Sequence, residues 1–378
     1  MPFDDSHYVP ILKGKKGELN ALRALHQSNA EITGKYTPLV EVPRISIDYQ
    51  PNQTPKKKKS IAKHIDDTAK AFALNLSGLP IIIVDTCYLE EEPRLSDGTS
   101  PSAAMFAALS TVAVQFIPTI GIDSTGAIAD AVKEAGKRDK RGYCLRILET
   151  DFEAVGGIAA QIESLLAGLG VEPKSIDLLL DFKDGVPSKA ALPFLVDALP
   201  HLTEWRTLTL ASSSFPRQLT GKNKITELER KEWEAWVFLR NRQRADNKRV
   251  PTFGDYAVNH PVFDEDFNPM LITMSPNIRY TDSLSYVIAR GEPQPRKKTA
   301  KTADQKAKRE ALAHKFQYHK LATMIKGHPS WKNNPAFSPG DKFIDKCSHK
   351  SPGNSTDWRS VGTSHHIVLT VQQISNLP

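Results

Sequence analysis

The chain has 378 residues, 40% hydrophobic and 25% charged, with a formal net charge of +7. That balance fits an ordinary soluble globular protein, long enough for one large domain with an extension or for two domains. Its three cysteines, Cys87, Cys144 and Cys347, lie far apart and form no CxxC pair, which argues against a thiolate zinc site and against a secreted disulfide scaffold. No apolar run approaches the roughly 20 residues that span a bilayer, and the opening Met1-Pro2-Phe3-Asp4-Asp5 lacks a signal-peptide core, so a cytoplasmic protein without membrane contact is expected.

Eight short apolar runs follow one another through the first 260 residues. They are Tyr8–Leu12, Tyr36–Val40, Leu79–Val84, Val112–Ile120, Tyr143–Ile147, Ile176–Leu180, Trp205–Leu210 and Val250–Tyr256. Between most pairs lies a segment long enough for a crossover helix, such as Glu18–His26 with Leu19, Leu22 and Leu25 on one face. This rhythm predicts a parallel α/β protein, and eight repeats predict a closed (β/α)8 TIM-like barrel over residues 1–260. Ile225–Arg242 reads as one long charged helix before the last strand. Over residues 261–378 the pattern changes. Met270–Tyr280 and Ser285–Ala289 predict a hairpin, Glu310–Ile325 a helix, and Ile367–Val371 a short strand, all in an extension that packs on the barrel.

The charge is unevenly placed. Residues 290–350 hold 15 lysines and arginines against five acidic residues, so the rest of the chain is slightly acidic. With Tyr318, Trp331, Phe337 and Phe343 interleaved, this basic stretch is a candidate nucleic-acid surface, or simply a solvated one. The run Lys56–Lys59 has the same two readings.

In a barrel of this kind the strands' carboxyl ends form the face that binds ligands. Lys13, Glu41, Asp85, Arg146, Asp181 and Asp255 stand at or near those ends. Lys13 and Arg146 suit an anionic group such as phosphate, the arginine as a fork and the lysine as a point charge. Glu41, Asp85 and Asp181 suit a divalent metal or a division of acid and base roles. Structural ion pairs closing the barrel top are the plain alternative. Asp255-Tyr256 and Arg279-Tyr280 form a second ligand-binding set, able to stack on a base and grip a phosphate, or to pack within a hairpin. His365 is a further catalytic candidate if it reaches the mouth; beside His366 in a strand it would point away from its neighbour, so the two would not share one metal. The sequence holds no HExxH, GxSxG, Walker loop or GxGxxG.

The phrases Tyr8-Val-Pro-Ile-Leu-Lys-Gly-Lys-Lys-Gly-Glu18, Pro251-Thr-Phe-Gly-Asp-Tyr256, Asn277-Ile-Arg-Tyr-Thr281 and Trp358…His365-His366 together resemble the beta family proteins, named after a phage T4 protein and scattered through phage and bacterial genomes. The resemblance runs over nearly the whole chain, in order. It implies a place in phage–host conflict, sometimes beside small nuclease-like proteins, and supplies no reaction. The expected function is therefore an antiviral-defence-like protein whose barrel mouth binds, and hydrolyses or modifies, a phosphate-bearing nucleotide or nucleic acid. The alternative is a non-catalytic scaffold that recruits nucleic acid or a nuclease-like partner subunit.

Overall fold

A computed structural model of the chain describes residues 3–49, 54–112, 114–124, 126–153, 157–262, 274–295, 301–347 and 352–378. Eight parallel strands close into a barrel: β1 (Tyr8–Leu12), β2 (Leu39–Glu41), β3 (Ile82–Asp85), β4 (Phe116–Gly121), β5 (Tyr143–Leu148), β6 (Ile176–Asp181), β7 (Thr207–Ala211) and β8 (Thr252–Asp255). Neighbours in sequence are neighbours in the ring, and β8 returns to pair with β1 through Tyr8–Phe253 and Val9–Gly254. Helices α1 (Lys16–Ser28), α2 (Ile61–Leu76), α3 (Pro101–Ser110), α4 (Gly126–Asp139), α5 (Gly157–Leu169), α6 (Leu192–Asp197) and α7 (Lys231–Ala245) follow the first seven strands in turn. The expected barrel is the observed one. The strands are recognisable because both of their faces are buried, which fills them with Val, Ile and Leu.

Strand residues alternate between the barrel interior and the helix layer. Ile11, Leu39, Ile83, Ile117, Cys144, Leu179, Ala211 and Tyr256 fill the interior as one cluster. Residues of opposite parity, such as Leu12, Val40, Val84 and Leu180, join the much larger core between strands and helices.

After β8 the chain builds α8 (Ala303–Ala311), α9 (His314–Lys326), α10 (Pro339–Cys347) and α11 (Ser355–Ser375). Strands Asn277–Thr281 and Ser285–Arg290 form an antiparallel hairpin, as expected for its second half; residues 263–273 lie outside the described residues. A third strand, Lys224–Glu229, pairs along Ser285–Arg290. The expected helix over Ile225–Arg242 therefore starts only at Lys231. Its first residues alternate, and an available sheet edge takes them. The expected single helix Glu310–Ile325 is two, α8 and α9, separated at Leu312 and Ala313.

The expected strand at Ile367–Val371 is instead the middle of α11. Its β-branched residues favour a strand by local preference, but burial on all sides overrides that preference. Ile367, Val368, Val371 and Ile374 join the barrel core, while Trp358 and Val361 join a second core with Ile278, Tyr280, Tyr318, Leu321 and Ile344. An Asn354–Asp357 capping box starts the helix, Asn354 Oδ1 accepting from Thr356 and Asp357 and the Asp357 carboxylate accepting from the Asn354 N–H. Gly362 is needed where strand and helix meet: a Cβ there would lie 2.7 Å from the Arg279 carbonyl oxygen. The segment after residue 260 thus supplies a second core of its own and, through α11 packed against α1, part of the barrel's helix layer.

Among the described residues no helix is long and apolar enough to cross a membrane.

The two adjacent histidines of α11 are fully buried. His366 donates from Nε2 to Asp255 (2.8 Å) and accepts at Nδ1 from the Thr281 hydroxyl (3.0 Å). Burial holds its pKa below the ordinary 6.5, against the raising effect of Asp255. A histidine kept neutral in the fold binds its proton more readily when unfolded, so stability is lost as pH falls below 6.5. The expected outcome is that His366→Gln lowers stability at neutral pH and makes denaturant midpoints fall less steeply between neutrality and mild acid. An unchanged slope would show that His366 does not titrate on unfolding.

Candidate functional site

Period-two alternation places the strand-end residues. Lys13, Glu41, Asp85, Arg146 and Asp181 share the parity of the interior cluster, so each continues the inner face one step above it. All five are buried, with Arg146 at 6% exposure.

Arg146 is the hub. Its Nη1 donates to Asp85 Oδ2 (2.6 Å), its Nη2 to Glu41 Oε1 (2.8 Å), and Nε and Nη2 both to Asp181 Oδ2 (2.9 and 2.6 Å). The Tyr256 hydroxyl accepts from Nη2 (2.8 Å) and donates to Asp181 Oδ2 (2.6 Å). Lys13 completes the set, donating to Glu41 Oε2 (2.7 Å) and to the Pro261 carbonyl, with its ammonium 5.1 Å from the centre of the Tyr256 ring. The remaining carboxylate oxygens accept from the backbone, Asp85 Oδ1 from Cys87 N–H and Asp181 Oδ1 from Lys183 N–H. Every oxygen of the three carboxylates is therefore hydrogen-bonded. Burial alone would lower the Arg146 pKa, but Tyr256, Asp181, Glu41 and Asp85 together raise it well above its ordinary value, so the guanidinium stays charged.

This arrangement bears on the two chemistries expected of these residues. The carboxylates converge on a guanidinium, and among the described residues no three His, Cys, Asp or Glu side chains are arranged to hold a metal ion. Arg146 and Lys13 are in turn occupied by the chain's own carboxylates. The group is a fixed charge array of two cations and three anions, prepared in advance of any ligand.

Above it opens a cleft of about 260 Å³, floored by Glu41, Asp85, Thr119 and Arg146 and walled by Arg44, Tyr88, Glu90, Asp123, Asp151 and Lys183. A second hollow, lined by Glu149, Thr150, Asp181 and Gly185, adjoins it, and Leu148 and Lys183 line both. The rim residues were not singled out from sequence. Arg44 and Asp123 follow the ends of β2 and β4 by two or three positions, Lys183 follows Asp181 by two, and only the course of each loop decides whether such a residue turns inward.

Four expected site residues lie elsewhere. Asp255 has the parity opposite to Tyr256, so it faces the helix layer, where it accepts from Tyr8 and His366. Tyr280 points into the second core, its hydroxyl on Asp341 (2.8 Å) and its ring stacked 3.7 Å from His365. Arg279 turns the other way, donating to the Val258 carbonyl (2.6 Å) and Asn259 Oδ1 (3.0 Å) beside the Phe215 ring. His365 does not reach the mouth. Its two nitrogens meet Asp341 Oδ2 and the Thr281 carbonyl, both at 2.8 Å, and α11 carries it in the second core because the run is helical and not extended.

Removing the hub should strand three buried carboxylates. Arg146→Met is expected to cost about 3–5 kcal/mol of unfolding free energy, read from urea denaturation; a loss below about 1 kcal/mol would mean that the array contributes little.

The chain resembles the triosephosphate isomerase of Bartonella henselae at 13% identity and a TM-score of 0.35, covering 65% of this chain and 90% of that one. It also resembles a protein of Burkholderia cenocepacia assigned as a phosphonomutase, at 10% identity and a TM-score of 0.20, covering 66% and 86%. No curated protein gives a significant match. The Beta protein family profile matches residues 8–372, nearly the whole length, and the chain belongs to that family.

Proposed function

We propose that the barrel mouth binds a phosphate-bearing nucleotide or nucleic-acid end, in the setting of phage–host conflict that the family resemblance implies. The observation that carries this reading is the cleft at the strands' carboxyl ends, where Tyr88, Arg44 and Lys183 stand over a charge array already fixed by Arg146. The Tyr88 ring, over which Lys13 and Arg44 each lie at 5.6 Å, can stack on a base by exchanging one of those cations for it, and cations on the rim offer contacts to phosphate oxygens. Thr86, Ser124 and the floor carboxylates supply hydrogen-bonding partners for a ribose or base edge. Hydrolysis or modification of such a ligand needs a proton acceptor. Asp85 and Asp181 are the candidates for that role, with Glu41 supporting Arg146, and either must exchange a hydrogen bond from Arg146 for the ligand's proton.

A second reading, a scaffold that recruits nucleic acid or a nuclease-like subunit through residues 290–350, is favoured by α8. None of its nine residues is buried, and Lys301, Lys306 and Lys308 are exposed along it and its approach. A helix this short gains little without a packed face, and this one is set out in solvent.

Two measurements separate the readings. Calorimetric titration with a panel of nucleoside mono-, di- and triphosphates in magnesium buffer should give saturable binding of at least one member. Tyr88→Ala should weaken it about tenfold, the lower range of a base–aromatic stack; silence across the panel would sink the nucleotide reading. Replacing Lys301, Lys306 and Lys308 by glutamate should abolish retention of single-stranded DNA and flatten its salt dependence if the scaffold reading holds, while Tyr88→Ala leaves that retention intact. Retention unaffected by the charge reversals would remove α8 from the account.

A further inference from the structure

The cleft holds an electrostatic mismatch with the ligand proposed for it. Once Glu41, Asp85 and Asp181 are satisfied by Arg146 and Lys13, the remaining carboxylates of the main cleft are Glu90, Asp123 and Asp151. Neither the Glu90 nor the Asp123 carboxylate makes a hydrogen bond or ion pair with a described residue, and Asp151 uses one oxygen, Oδ2, to accept from the Leu148 N–H at 2.7 Å. Burial holds Glu90 above its ordinary pKa, and Asp123, Asp85 and Glu91 push it further the same way; burial and then Asp123 do so for Asp151. A bare phosphate would meet this acidic wall with repulsion.

Within the same cleft stands a cation whose field reaches Asp151. Lys183 lines both hollows and makes no side-chain hydrogen bond or ion pair with a described residue. Its backbone lies in the left-handed region at φ 49°, a conformation that costs a non-glycine residue energy and persists only where its surroundings enforce it. They do so from both sides: the Lys183 N–H is held by Asp181 Oδ1 (3.0 Å), and its carbonyl accepts from Ser213 N–H (2.7 Å). The array around Arg146 thus also aims Lys183. On the floor, Thr119 is 4% exposed and its hydroxyl is turned to the Cys144 thiol. Above it, Gly121 at the end of β4 leaves room for the Asp123 carboxylate, whose Oδ1 would lie 3.1 Å from a Cβ at that position.

We infer that the ligand enters as a magnesium complex, its phosphate on Lys183 and its hydrated magnesium against Asp123 and Asp151, with Glu90 adding to the field. This rests on the nucleotide reading above. Magnesium keeps several waters and is usually held by one or two carboxylates plus substrate phosphates, so the absence of a three-ligand cage among the described residues fits a metal that arrives with its ligand. The carboxylates then favour the complex over the free anion, and the mouth selects metal-bound phosphate by charge.

The test takes whichever nucleotide of the panel binds and repeats the titration with EDTA replacing magnesium. Affinity should fall by about tenfold or more. In the double variant Asp123→Asn/Asp151→Asn the metal-free nucleotide should bind better than it does to the parent, because the repulsion is gone, and the advantage of magnesium should shrink. Lys183→Met should weaken binding in both buffers. Equal affinity with and without magnesium, or a double variant that keeps the full magnesium advantage, would overturn the inference and leave the nucleotide reading standing. A panel that never binds in magnesium would defeat that reading itself.

Discussion

A guanidinium in the throat of a barrel organises this protein. Arg146 reaches from β5 to carboxylates on β2, β3 and β6 and to the phenol of Tyr256 just past β8, so one side chain ties together residues from around the ring. Moving ions out of water costs several kcal/mol each, and only close, fully hydrogen-bonded geometry offsets that cost. The array meets the requirement because every carboxylate oxygen has a donor. An apolar plug would close the barrel as well or better by stability alone. What the array adds is direction: it fixes the loop after β6, and with it Lys183, at the edge of the cleft.

A second line of polar groups attaches the outer layer to the barrel. Tyr8 donates to Asp255, Asp255 accepts from His366, and His366 accepts from the Thr281 hydroxyl. The Thr281 carbonyl meets His365, whose other nitrogen meets Asp341, which in turn accepts from Tyr280. Apolar packing alone would allow the three-stranded sheet to slide on α11, whereas this chain of directional bonds has one register. The paired histidines thus serve the joint between two cores and not the mouth.

The barrel and its mouth were legible because buried parallel strands write themselves as apolar runs, and because strand ends mark the ligand face. Lys13, Glu41, Asp85, Arg146, Asp181 and Tyr256 converge as that rule expects. At Asp255-Tyr256 the strand end is unmistakable but its parity is not, and a shift of one residue exchanges the two faces. Ile367–Val371 misleads because β-branched residues carry strand preference even where a helix is enclosed on every side. Lys224–Glu229 was hidden inside a charged segment whose partner strand lies some sixty residues later. The cleft wall was least visible of all, since Tyr88, Asp123 and Lys183 belong to loops, whose course depends on contacts that leave no periodic trace.

The closing of the helix layer by α11 sets a timetable for the molecule's birth. The apolar side of α1 leaves the ribosome long before its neighbour α11, and the layer joins residues as distant as Lys35 and Ser375, 340 positions apart. Closing contacts over such a span is entropically slow. Until α11 docks, the α1 face of the barrel is an uncovered apolar seam, the kind of surface that exposes a folding chain to misassembly.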